Sequence, residues 1–258
     1  MGKYNDWTRG EGEALLNIVG GVDIARVVLR GERKLTVEKI TKVVKKHDLF
    51  TTSEEQIRRL LDINEAVWHD TDITEEAIRE LGDPPECPVS DEKGLYCVVL
   101  LYETGDVVKT FRRNWEACVH VRGEDSTWNW DGLLFTPQGV RQRQGAILRP
   151  VGLRWAVVEL GRRFQGQSVE GLRPQLGEIM GMGQELPLVA ALNPKWAVSM
   201  NGKDIPYVDA PDLEVTPGGR GGFVDAPFLY FDSGSGEFEL HSCRTDRVYS
   251  SCGSASLQ

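Results

Sequence analysis

Four residues have types and spacing suited to a metal. Cys118 and His120 lie two apart, as do His241 and Cys243. Both stretches read as strands, and in a strand residues two apart share a face. Each pair would then present a thiol and an imidazole on one side. Were the two strands neighbours, Cys118, His120, His241 and Cys243 would offer zinc a tetrahedral set of two Cys and two His. Structural thiols are the plainer reading, because free Cys is among the most buried residue types. A second cluster is His69-Asp70-Thr71-Asp72. One imidazole with two carboxylates suits a divalent ion or general-base work. The cluster also sits where one helix ends and another begins, so capping accounts for Asp72.

Other chemistry is argued against by context. Gly234-Ser235-Gly236 has the small residues of a nucleophile elbow but lies in a hairpin turn rather than between strand and helix. Gly10-Glu11-Gly12 has no preceding strand and no third glycine at dinucleotide spacing. The glycines from 218 to 222 lack the Lys-Ser or Lys-Thr of a phosphate loop.

Charge is unevenly spread. Between Val107 and Arg163 ten residues are basic and five acidic, within a chain of net charge -9. Arg141, Arg143, Arg149, Arg154, Arg162 and Arg163 suit bidentate contact with phosphate or carboxylate. Trp115, Trp128, Trp130, Phe135 and Trp155 interleave with them, a mixture that can hold single-stranded nucleic acid. Against this, arginines of an acidic protein find carboxylates of their own, and tryptophan is usually core. The Lys39–Lys46 helix and its successor have too long a loop for a helix-turn-helix, and Glu54, Glu55 and Asp62 sit on the second helix.

These residues need a frame. The chain has 258 residues, 40% hydrophobic and 27% charged, which is globular composition. No run approaches the roughly 18–20 apolar residues of a membrane span. The start is acidic, without a secretory apolar region. Five widely spaced cysteines with no Cys-x-x-Cys indicate a reducing compartment, and the expected location is cytoplasmic.

The expected fold is α+β: a helical N-terminal segment over residues 1–85, then a mixed domain over 86–258 with a mainly antiparallel sheet and a few helices. Apolar stripes of helical period run through the first segment. Thr52-x-x-Glu55 reads as a capping box, and Asp72-x-x-Glu75 as an analogous start. Gly82-Asp83-Pro84-Pro85 marks the boundary. Beyond it, Leu95–Tyr102 and Val107–Phe111 read as a hairpin about Thr104-Gly105-Asp106, with Ala117–Val121 a third strand. Residues 147–160 lean towards strand. Ser168 opens a helix to about Met180, 186–192 is helical, and Asn193-Pro194 starts another short helix. Pro217–Gly222 is a loop. Phe223–Asp232 and Phe238–Cys243 form a second hairpin, and the small, polar tail after Tyr249 is expected to fray.

Two stretches carry a resemblance. They are Asn17-x-x-Gly20-Gly21 with Ala25-Arg26 and Leu29-Arg30-Gly31-Glu32, and Ala191-Leu192-Asn193-Pro194-Lys195-Trp196 with Met200-Asn201-Gly202 and Ile205-Pro206-Tyr207. Together they resemble uncharacterised short proteins of uncultured bacteria. The matched positions span about a tenth of the chain. The resemblance implies a bacterial cytosolic protein and carries over no functional residue or activity.

The leading functional reading is a non-enzymatic protein that binds another protein, with no cofactor. The alternatives are nucleic-acid binding through residues 107–163 and zinc binding through the Cys/His set.

Overall fold

Thr52 opens the first described helix as its spacing predicts. In the computed structural model its hydroxyl accepts the Glu55 amide at 3.2 Å, starting α1 (Ser53–Ile63). The structure describes residues 49–90, 93–129, 135–176, 180–216 and 222–257. The helices expected in the first 48 residues, Trp130, and the Pro217–Gly222 loop up to residue 221 lie outside them. Residues 50–258 form one unit. The expected boundary at Gly82–Pro85 falls inside it, because α1 buries Leu60 and Ile63 and packs on the first strand.

A π-helical turn, Asn64–Trp68, extends α1 and closes at His69, whose φ of 51° is left-handed. Helix α2 (Glu75–Glu80) starts two residues later than expected. Thr74, not Asp72, caps it, accepting the Ala77 amide at 3.1 Å.

Strand β1 (Tyr96–Glu103) forms as predicted, but the expected hairpin after it does not. Asp106 accepts the Lys109 amide at 2.9 Å and opens α3 (Val107–Arg122), which absorbs both Val107–Phe111 and Ala117–Val121. Phe111, Trp115 and Cys118 recur at helical period and are buried. That stripe, with a good cap, outweighs the β-preference of Val107 and Val108.

Strands β2 (Thr127–Asn129) and β3 (Val140–Gln142) follow. Strand β4 (Gly152–Glu159) lies antiparallel to β1 in a register running from Tyr96↔Glu159 to Glu103↔Gly152. Ser168 caps α4, but Pro174 limits it to Val169–Leu172 before a 3-10 turn. Next come β5 (Met180–Gly181), α5 (Leu186–Leu192) and α6 (Pro194–Val198). Then come β6 (Tyr207–Asp209), β7 (Leu213–Val215), and the predicted hairpin of β8 (Asp225–Asp232) with β9 (Glu237–Arg244).

The tail does not fray. It forms β10 (Cys252–Ser254), parallel to β6, then β11 (Ser256–Leu257), between β4 and β5. Its small residues are a packing requirement: a Cβ on Gly253 would collide with the Gly161 carbonyl.

The architecture is α+β, with two mixed or antiparallel sheets. The first has the order β1-β4-β11-β5. In the second, β8 is central, with β9 then β2 on one side, and β6 and β7 on the other, continuing to β10 and β3. Helix α3 packs against α5, and its Trp115 stacks on Phe238 of β9 at 6.4 Å.

Candidate functional site

The register of the second sheet sorts its side chains onto two faces, since residues directly opposite share a face. Leu229 pairs with Leu240 and Val208, and Phe231 with Phe238. Leu229, Leu240, Val208 and Phe238 are fully buried and make this the core face. On the other face Phe228 pairs with His241 and Asp209, Tyr230 with Glu239, Glu239 with Trp128, and Tyr207 with Cys252.

The rings of this second face run continuously across four strands. Trp128 lies 4.9 Å from His241, His241 5.7 Å from Phe228, Phe228 5.6 Å from Tyr230, and Tyr230 5.3 Å from Tyr207. Trp128 is 39% exposed, and Phe228, Tyr230, His241 and Tyr207 are half-buried. Beside them opens a cleft of about 280 Å³, lined by Tyr207, Phe228, Tyr230, His241, Tyr249 and the Cys243 and Cys252 thiols.

The polar groups of the cleft are held by one another. Glu239 accepts from the Tyr230 hydroxyl at 2.6 Å and lies 3.0 Å from His241 Nε2. Burial, then the Glu239 carboxylate, pushes the Tyr230 phenol well above its usual range. Below the thiols, Asp209 accepts from Cys243 Sγ at 3.5 Å. Burial raises the Asp209 carboxyl to about 7. Burial and Asp209 raise Cys252 to about 12 and push Cys243 up as well. Burial and Asp209 thus hold both thiols in the protonated form near neutral pH, whereas the thiolate is the reactive form.

The Cys118/His120 expectation is corrected by α3. On a helix, residues two apart point to different sides. Cys118 is buried and donates to the Pro187 carbonyl at 2.8 Å, whereas His120 faces outward, 3.1 Å from Asp62. His241 and Cys243 do share a face, but the structure does not bring Cys118 or His120 to them. Among the described residues no group of three or more His, Cys, Asp or Glu is placed to hold a metal ion.

Three of the six arginines, Arg143, Arg149 and Arg154, meet in one ion-pair network through Asp212 and Glu185, and the other three have partners of their own. Arg141 binds Glu214 at 2.8 Å, Arg143 binds Asp212 at 3.0 Å, and Arg154 binds Glu185 at 3.2 Å. Arg149 is buried between Glu185 at 2.9 Å and Asp212 at 3.1 Å, and donates to the Gly181 carbonyl. Arg162 donates to the Asp204 carbonyl, and Arg163 lies over the Phe164 ring. Trp115 is buried in the core.

His69 and Asp70 line a separate cleft of about 380 Å³ with Trp68, Lys109, Arg112 and Arg113. Asp70 is fully engaged there. It accepts from Arg113 at 2.8 Å, the Tyr102 hydroxyl at 2.9 Å and the Asp72 amide at 3.0 Å. Arg113 in turn lies over the Trp68 and Tyr102 rings. The arrangement fastens the π-turn to α3.

Sequence reasoning missed Tyr207, Phe228, Tyr230, Glu239 and Tyr249. The signal for three of them was available: in a predicted hairpin, Phe228-x-Tyr230 faces Glu239-x-His241 at period two. The chain matches no protein-family model, no curated protein and no solved structure.

Proposed function

We propose that this is a binding protein whose aromatic face on the second sheet seats a segment of a partner protein, without catalysis or a cofactor. The continuous row of half-exposed rings from Trp128 to Tyr207 carries this reading. Tyr, Trp and Phe are enriched at protein interfaces, where a rigid ring contributes much contact area at little entropic cost. The protonated thiols and the engaged Glu239 offer no activated nucleophile or free base. Nucleic acid is the weaker reading, because Arg141, Arg143, Arg149 and Arg154 are already paired with carboxylates. The setting we propose is the bacterial cytoplasm. All five cysteines are free, as a reducing compartment would keep them. No described helix is long and apolar enough to cross a membrane.

Selection of displayed peptides on the full chain tests the reading. Enriched peptides are expected to bind about tenfold or more weakly to Trp128→Ala and Phe228→Leu, the scale of one lost aromatic anchor. Peptides that bind both variants as well as the parent chain would overturn it.

A further inference from the structure

Of Asp, Glu, Lys and Arg, the aromatic face carries acids alone, and its one imidazole, His241, already lies beside Glu239. Asp232, Glu237 and Glu239 stand on the same side of the hairpin as Phe228 and Tyr230. Asp209 follows on β6. No Lys or Arg occupies that face of β2, β6, β8, β9 or β10. Asp232 and Glu237 sit directly opposite each other, a like-charge pairing that costs stability in a sheet. Asp209 is almost fully buried and accepts from Cys243, so the acids nearer the partner side are Asp232, Glu237 and Glu239. Glu239 is also buried, against the rings, with Tyr230 and His241 as its partners. A phosphate or an acidic peptide would meet repulsion here. A cation would meet ring faces, which attract positive charge, and carboxylates placed to answer it.

We infer that the partner segment this face takes is basic: a Lys or Arg side chain lies across Phe228, Tyr230 and Trp128, with its charge answered by Glu239 and by Glu237 on the same side of the strand. The inference rests on the reading of this face as a partner-binding surface. The aliphatic stem of such a side chain suits the apolar cleft wall, while its head remains near the carboxylates.

The test uses the full chain and two labelled decapeptides, alternating Gly-Lys and alternating Gly-Glu. Binding is read by anisotropy of the labelled peptide in about 0.15 M salt, where charges beyond roughly 8 Å are screened. The Gly-Lys peptide is expected to bind and the Gly-Glu peptide not to. Glu239→Gln and Trp128→Ala should each weaken the Gly-Lys peptide about tenfold with unchanged circular dichroism. Glu237→Gln replaces Glu239→Gln if the latter fails to fold. Gly-Lys binding that neither variant weakens would be general attraction to an acidic chain and would overturn the inference. Weakening by Trp128→Ala without the carboxylate variant, equal binding of both peptides, or no Gly-Lys binding would overturn it too. Ring-dependent displayed peptides without Lys or Arg would defeat the inference and leave the proposed function standing; no ring-dependent peptides would defeat both.

Discussion

Asp209 differs from the other buried carboxylates in what answers its charge. Asp212 and Glu185 share Arg149. Burial pushes Asp70 up, but Arg113, the Asp72 amide and Tyr102 more than offset it, so its pKa is lowered. Glu159 is raised by burial, yet accepts amides from Leu95, Gly161 and Arg163. Asp209 has a thiol donor, and its pKa rises from 3.8 to about 7. Between those values the folded chain holds a proton that the unfolded chain has released. Stability contributed by protonated Asp209 is therefore complete below about pH 4 and lost as pH rises towards 7 and beyond. The slope from one proton is at most about 1.4 kcal/mol per pH unit. Asp209→Asn is expected to flatten the decline between pH 4 and 7 and to make the variant relatively more stable at pH 8. Urea denaturation across that range measures it; parallel curves for the two proteins would refute the assignment.

Helix α1 serves the first sheet by occupying its open edge. Gln56 donates from Nε2 to the Val98 carbonyl at 2.9 Å, and its Oε1 accepts the Leu100 amide at 3.1 Å. One side-chain amide thus does for β1 what a neighbouring strand would do, and Ser90 does the same for Tyr96. Such cover keeps an apolar strand from pairing with another chain. Gln56→Leu is expected to cost about 1–3 kcal/mol for each backbone group left unpaired. Its urea midpoint should fall at constant m, with added self-association in sedimentation; an unchanged midpoint would mean that water replaces the amide. Local signals of this kind were legible: the Thr52 and Ser168 caps, α5 and the β8–β9 hairpin all follow from sequence spacing. Helix α3 was not, because β-branched Val107 and Val108 after a Gly-Asp turn resemble a hairpin until the buried stripe is followed to Cys118. Asn193 was half legible: α6 starts after it, but its Oδ1 accepts from the Thr51 amide and hydroxyl instead of capping the helix. Half of the candidate site was likewise open to reading. Phe228, Tyr230, Glu239 and His241 share one hairpin, whereas Trp128 and Tyr207 join them only through strands remote in sequence.

At the scale of the molecule, the final residues hold the two sheets together. Strand β10 pairs with β6 in the second sheet, and β11 inserts between β4 and β5 in the first. At the crossing, the Ala255 amide donates to the Asp209 carbonyl at 3.1 Å and its carbonyl accepts the Met182 amide at 2.9 Å. Small, polar composition suggested a frayed end because little apolar area is available to bury. Here the stabilising interactions are backbone hydrogen bonds, and small side chains are what allow Gly253 to pass against Gly161. Losing the tail would strip β5 of its strand partner and uncover the β4 edge, leaving buried backbone groups unpaired. A chain ending at Tyr249 is therefore expected to lose its cooperative urea transition and to bind a hydrophobic dye, the behaviour of a compact state without fixed packing. Adding a synthetic peptide of residues 250–258 should restore the transition in a concentration-dependent way, because a ligand of the folded state stabilises it by mass action. Cooperative unfolding of the shortened chain at the parent midpoint would place the link elsewhere, in the buried Arg149 network that ties the loop before β4 to Glu185 and Asp212.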